Sequence, residues 1–100
     1  LELIGKIKRM RDSWIREWEG KGWFCYPSQA NFIFVQPVNS TGEKGPQVAK
    51  SLFDFLLGEK ILVRYFGKDS RTDSFLRISI GSEPDMLTLS ETINQWLKNA

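Results

Sequence analysis

The sequence contains no histidine, which removes the commonest general base and the commonest metal ligand together. Its one cysteine, Cys25, excludes an intrachain disulfide framework and makes a reducing cytoplasm the expected location. No run approaches the about 18 apolar residues of a membrane span, and no signal-peptide pattern is present. An excess of one charge is missing too. Fourteen Lys and Arg against twelve Asp and Glu leave +2, too little to argue for nucleic acid on charge alone. There is no glycine-rich phosphate loop, no Ser/His/Asp set, no paired cysteines at metal spacing and no carboxylate cluster that could share a proton. As an independent enzyme the chain is poorly equipped.

What is present describes an ordinary globular unit. One hundred residues, 41% hydrophobic and 26% charged, suffice for one domain with a single core. The chain opens on Leu1-Glu2-Leu3-Ile4, already inside a helical pattern and without methionine. It is therefore expected to be a piece of a longer protein, a processed product being the plainer alternative. Leu3, Ile7, Met10, Trp14 and Trp18 recur at helical steps, flanked by Ile4 and Ile15, and predict an amphipathic helix stopped by Gly20 and Gly22. Trp23-Phe24-Cys25-Tyr26 is a short β-prone run ended by Pro27. Cys25, in an aromatic run with no histidine, is read as an inert buried thiol.

Ala30-Asn31-Phe32-Ile33-Phe34-Val35 is apolar on both parities, the signature of a central strand. A polar, glycine-bearing loop over 38–45 follows, and Pro46 suits a first helical turn. Val48, Ala49, Leu52, Phe53, Leu56 and Leu57 then line a second amphipathic helix, closed by Gly58. Two strand-like runs, Ile61 to Phe66 and Phe75 to Ile80, come next. Ser82-Glu83-Pro84-Asp85 reads as a capped helix start, and Met86, Leu89, Ile93, Trp96 and Leu97 mark one face of the last helix. The expected order is α-β-β-α-β-β-α, an α+β fold: a three- or four-stranded antiparallel sheet with helices mainly on one face.

The two late strands each carry one arginine, Arg64 and Arg77. A guanidinium inside a strand costs side-chain entropy and, if buried, desolvation, so two on neighbouring strands suggest an anion site. The planar fork matches a carboxylate or phosphate in a way lysine cannot. In the second run Leu76, Ile78 and Ile80 share one parity and face the helices, leaving Arg77 opposite. Antiparallel pairing would put Arg64 on that same face, if register allows. Spacing alone leaves anion binding and an idle surface role equally open.

Three segments in order carry a resemblance: Tyr26-Pro27-Ser28-Gln29-Ala30-Asn31-Phe32-Ile33, Lys60-Ile61-Leu62-Val63-Arg64 and Leu76-Arg77-Ile78-Ser79-Ile80-Gly81. They resemble the C-terminal small domain of histidinol-phosphate aminotransferases, within the fold-type I, pyridoxal-phosphate-dependent class I/II aminotransferases. The resemblance runs over nearly the whole chain, so residues 1–100 are expected to be that domain. It implies histidinol phosphate plus 2-oxoglutarate giving imidazole acetol phosphate and glutamate, in histidine biosynthesis. It further implies that Arg77 clamps the substrate α-carboxylate. Arg64 would meet the phosphate of histidinol phosphate or the distal carboxylate of glutamate, and Asn31 would lie near the same pocket. Nothing here matches the Schiff-base lysine or the cofactor-binding residues. Those are implied to lie on a missing large domain, which would also carry most of a homodimer interface, and the fragment alone is expected to be inactive. Two other classes stay open at this point. A free-standing module stacking single-stranded RNA on sheet aromatics is suggested by Phe66 and Phe75 beside the arginines. The other is a regulatory domain holding a small amino acid at a sheet edge.

Overall fold

The computed structural model describes residues 2–27, 32–66 and 72–99. Its elements are α1 (Glu2–Glu19), β1 (Phe24–Pro27), β2 (Phe32–Gln36), α2 (Pro46–Gly58), β3 (Arg64–Tyr65), β4 (Leu76–Ser79) and α3 (Glu83–Asn99). The order is the one the sequence predicts. Met10, Trp14 and Trp18 follow one another at four-residue steps, and Trp18 is fully buried while the other two pack against the core. The side chains of Leu3, Ile4 and Ile7, expected on the same stripe, lie outside the described residues.

α1 ends in a Schellman motif. Gly22 takes a left-handed φ of 87°, its N–H donates to the Glu19 carbonyl, and the Trp23 N–H donates to the Trp18 carbonyl. The hydrophobic contact that accompanies this motif is Trp18 against Trp23, rings stacked with centroids 6.3 Å apart.

α2 closes the same way, but its left-handed residue is not the glycine. Gly58 is still helical, and the left-handed residue is Lys60, at φ 63°. Lys60 N–H donates to the Leu57 carbonyl and Ile61 N–H to the Leu56 carbonyl. The helix ends at Gly58, and the cap geometry is set two residues later, where the Ile61 N–H can reach the Leu56 carbonyl. A side chain in this region is strained by its Cβ, so Lys60→Gly is expected to stabilise the chain by about 0.5–1 kcal/mol. Chemical denaturation at constant m-value would measure it, and no gain would show that the unfolded-state entropy of glycine cancels the relief.

α3 begins where predicted. The Ser82 hydroxyl accepts the Asp85 N–H at 3.3 Å, and the Ser82 carbonyl accepts the Met86 N–H.

The sheet is antiparallel with strand order β1-β2-β4-β3, which puts β2 and β4 in the centre. Cys25, Ile33, Val35, Leu76, Ile78 and Ile80 are buried on one face, together with Leu52 and Leu56 of α2 and Met86, Leu89, Ile93 and Trp96 of α3. The helices thus cover that face. On α2 the buried stripe is narrower than predicted: Val48, Ala49, Leu52 and Leu56 are buried, Phe53 stacks on Tyr65 at 5.3 Å, and Leu57 is 46% exposed. The Ile61–Phe66 run also yields a shorter strand, Arg64–Tyr65 alone. Ile61 gives its N–H to the end of α2, so the chain leaves the helix as a cap, and β3 is an edge strand with one neighbour. Leu62 is left 80% exposed.

Candidate functional site

The face away from the helices is built by parity. Alternation along each strand sends Phe24 and Tyr26, Phe32 and Phe34, and Arg77 to the side opposite the buried aliphatics. Register then aligns them. Tyr26 pairs with Phe34, Phe34 with Arg77, and Arg77 with Arg64, one row across all four strands. The two arginines predicted from sequence are thus not merely on one face; they are direct cross-strand partners. Directly opposed residues in an antiparallel pair have Cα atoms about 4.5–5.5 Å apart, and like charges so placed are destabilising. Asn31, the third predicted site residue, lies outside the described residues, next to Phe32.

Neither guanidinium is neutralised by a described acid. The ion pairs found among the described residues are Arg11–Asp12, Glu17–Lys21 and Lys50–Asp54. Arg77 and Arg64 rest on aromatic rings instead. The Arg77 Cζ is 4.4 Å from the Phe32 centroid and the Arg64 Cζ is 5.9 Å from that of Phe66. The Phe66 ring in turn packs on Phe34 at 5.7 Å, and Phe24 meets Phe75 edge-on at 6.1 Å. Gln36 donates to the Ser74 hydroxyl at 3.2 Å, tying the end of the loop before β4 to β2. Arg77 is half-buried and Arg64 exposed. Such an arrangement can bind an anion: two cations side by side, a half-dry aromatic floor, and no internal counter-ion among the described residues.

The aromatic floor was only partly visible in the sequence. In the sequence Phe66 and Phe75 stand near the arginines, whereas Phe32 and Phe34 read as the second apolar face of a central strand. Their signal was the parity they share with Arg77 once β2 pairs with β4. Elsewhere, Cys25 is 6% exposed, with its Sγ 3.9 Å from the Ile15 carbonyl. Burial, then the nearby Glu19 charge, pushes its thiol up to about 12, so at neutral pH it carries almost no thiolate and is no nucleophile. Among the described residues, no group of three or more His, Cys, Asp or Glu is placed to hold a metal ion.

Known proteins place this architecture. The profile of the family described as aminotransferase class I and II matches residues 2–93. A histidinol-phosphate aminotransferase of Syntrophus aciditrophicus is 36% identical over 94 residues, covering 94% of this chain and 24% of the relative. One of Clostridium botulinum, strain Langeland, is 41% identical over 85 residues, 85% of this chain and 22% of the relative. Among solved structures, the histidinol-phosphate aminotransferase from Sinorhizobium meliloti, crystallised with pyridoxal-5'-phosphate, superposes with a TM-score of 0.76. It is 23% identical and covers 94% of this chain and 24% of that one, which establishes the shared fold. The chain spans about a quarter of the length of the curated relatives it matches. By sequence and by fold, it belongs to the aminotransferase class I and II family.

Proposed function

We propose that this chain is the substrate-recognition small domain, the C-terminal one, of a pyridoxal-phosphate-dependent aminotransferase. The proposed reaction is that of histidinol-phosphate aminotransferase, exchanging an amino group between histidinol phosphate and 2-oxoglutarate. The observation that carries the reading is the Arg64–Arg77 cross-strand pair, turned away from the helices and without a described acid to neutralise it. A protein keeps like charges in register when a ligand of opposite charge is their partner in the working state. In this reading Arg77 grips the substrate α-carboxylate through its fork. Arg64 meets the phosphate of histidinol phosphate or the distal carboxylate of glutamate, and Asn31 lies beside the same pocket.

The described residues do not fit the cofactor's covalent anchor. When bound, pyridoxal phosphate supplies the electron sink of the reaction, but its aldehyde needs a lysine amine that can lose its proton, which calls for burial or a cationic neighbour. Lys8, Lys44, Lys50, Lys60 and Lys98 are exposed. Lys50 donates to Asp54 at 2.8 Å, which raises its pKa instead. Lys21 is held by Glu17 and Asn94. The anchor, the cofactor pocket and most of the expected homodimer contact are assigned to the large domain of a cytoplasmic parent. None of the described helices is long and apolar enough to cross a membrane.

The test is an assay of the parent beside the isolated chain. The full-length enzyme is expected to convert histidinol phosphate with 2-oxoglutarate, while residues 1–100 with added pyridoxal phosphate show no turnover. A full-length protein that ignores histidinol phosphate but turns over another amino donor would keep the family and remove the substrate. Family membership also disfavours the RNA-binding reading, although aromatics and arginines do share the sheet face.

A further inference from the structure

We propose that Phe32 is a positioning residue for Arg77: its ring holds the guanidinium by the face and leaves the N–H fork free for an anion. The inference rests on the reading above, in which Arg77 receives the substrate. Phe32 is not the cross-strand partner of Arg77. That partner is Phe34, while Phe32 is paired with Ser79. Arg77 therefore reaches diagonally across β2 to place its Cζ 4.4 Å from the Phe32 centroid. Diagonal neighbours are about 7–8 Å apart at the backbone, within reach of long side chains.

Three features of the sheet favour this diagonal. Phe34, the direct partner, already has its ring against Phe66, which lies under Arg64. Ser79, opposite Phe32, is small, so no bulky neighbour covers that ring from β4. Repulsion from Arg64, directly opposite on β3, pushes Arg77 toward β2. The two guanidiniums thus stand over separate rings rather than over each other.

The chemistry of the support also matters. A carboxylate beside Arg77 would orient it but would occupy its donors and cancel its charge. A ring face attracts the cation through its quadrupole while leaving every in-plane N–H available for a bidentate anion. Among the described residues, Phe32 is the group that orients Arg77 without competing for the substrate. Phe32 itself does not touch the reacting atoms.

The experiment uses the full-length enzyme, with histidinol phosphate and glutamate as substrates. Phe32→Leu keeps an apolar side chain but loses the ring face, and is expected to raise KM roughly five- to thirtyfold with kcat changed less than about twofold. Phe32→Tyr and Phe32→Trp, which keep a ring face, should restore KM. In an Arg77→Ala background, which leaves no cation over the ring, Phe32→Leu should add little further loss. Melting temperatures recorded alongside show whether each variant is folded; if Phe32→Leu is not, Phe32→Met and Phe32→Ile replace it and carry the same expectation. Arg77→Ala, run in parallel, separates the possible failures. A damaged Arg77→Ala beside a Phe32→Leu with unchanged KM overturns the positioning role alone. An undamaged Arg77→Ala overturns both it and the substrate-recognition reading. Equal KM effects of Phe32→Leu in the wild-type and Arg77→Ala backgrounds would make Phe32 act independently of Arg77, and that too overturns the proposal.

Discussion

Arg77→Ala in the full-length enzyme is expected to lower kcat/KM for its anionic substrates roughly 10²- to 10⁴-fold, mostly through KM. Hydrogen bonds to charged groups contribute about 1.5–3 kcal/mol each, and a bidentate grip makes two. Arg77 is half-buried on an aromatic floor, so its contacts are less screened than those of a surface cation. Arg77→Lys should recover only part of the loss, since an ammonium restores the charge but not the fork. Arg64, exposed at the edge strand, should cost less when removed. Folding offers a control. The substitution loses a cation–π contact but relieves like charges in register, so stability should stay within about 1 kcal/mol of wild type. Near-wild-type kinetics in a folded Arg77→Ala enzyme would remove Arg77 from substrate binding altogether.

Trp18→Ala is expected to be the most destabilising single change in this chain. Trp18 is fully buried and lies 5.7 Å from Trp14 and 6.3 Å from Trp23 between ring centroids. Truncating a buried tryptophan costs about 3–5 kcal/mol, out of a total stability of about 5–15 kcal/mol for a domain of this size. A fall in Tm of roughly 15–30 °C should follow in calorimetry. Trp18→Phe should be far milder than volume alone suggests. The buried Trp18 indole N–H has no hydrogen-bond partner among the described residues, and its removal recovers part of a desolvation cost of about 1–3 kcal/mol. A drop below about 5 °C for Trp18→Ala would mean that Trp14 and Trp23 collapse into the space instead of leaving a cavity.

Cores of this kind are written in local periodicity, which is why so much of the fold could be read beforehand. Met10, Trp14 and Trp18, and likewise Val48, Leu52 and Leu56, recur at helical spacing whatever lies around them. Ser82 can cap α3 because its hydroxyl needs only the N–H of Asp85, three residues on. The alternation of Leu76, Ile78 and Ile80 with Arg77 and Ser79 fixed which side of β4 is buried. Where a tertiary demand competes, local rules are overridden. Gly58 ends α2 as its sequence implies, but the left-handed cap residue is Lys60, because the Ile61 N–H bonds back to the Leu56 carbonyl. Leu57 was expected to be buried, but the stripe that meets the sheet is narrower.

By itself, then, the sequence determined the element order, the buried side of β4, most of the buried stripe of each helix, and the presence of two arginines with chemistry to offer an anion. Only the tertiary structure decided that Arg64 stands directly opposite Arg77, that β4 lies between β2 and β3, and that Phe32 lies under the Arg77 guanidinium. The reason is physical. Helical faces and strand parity come from bonds and side chains a few residues apart, whereas register is chosen by contacts between segments tens of residues apart. A slip of one residue between β4 and β3 would leave the local patterns of both strands intact, yet it would break the Arg64–Arg77 pairing that makes them a site.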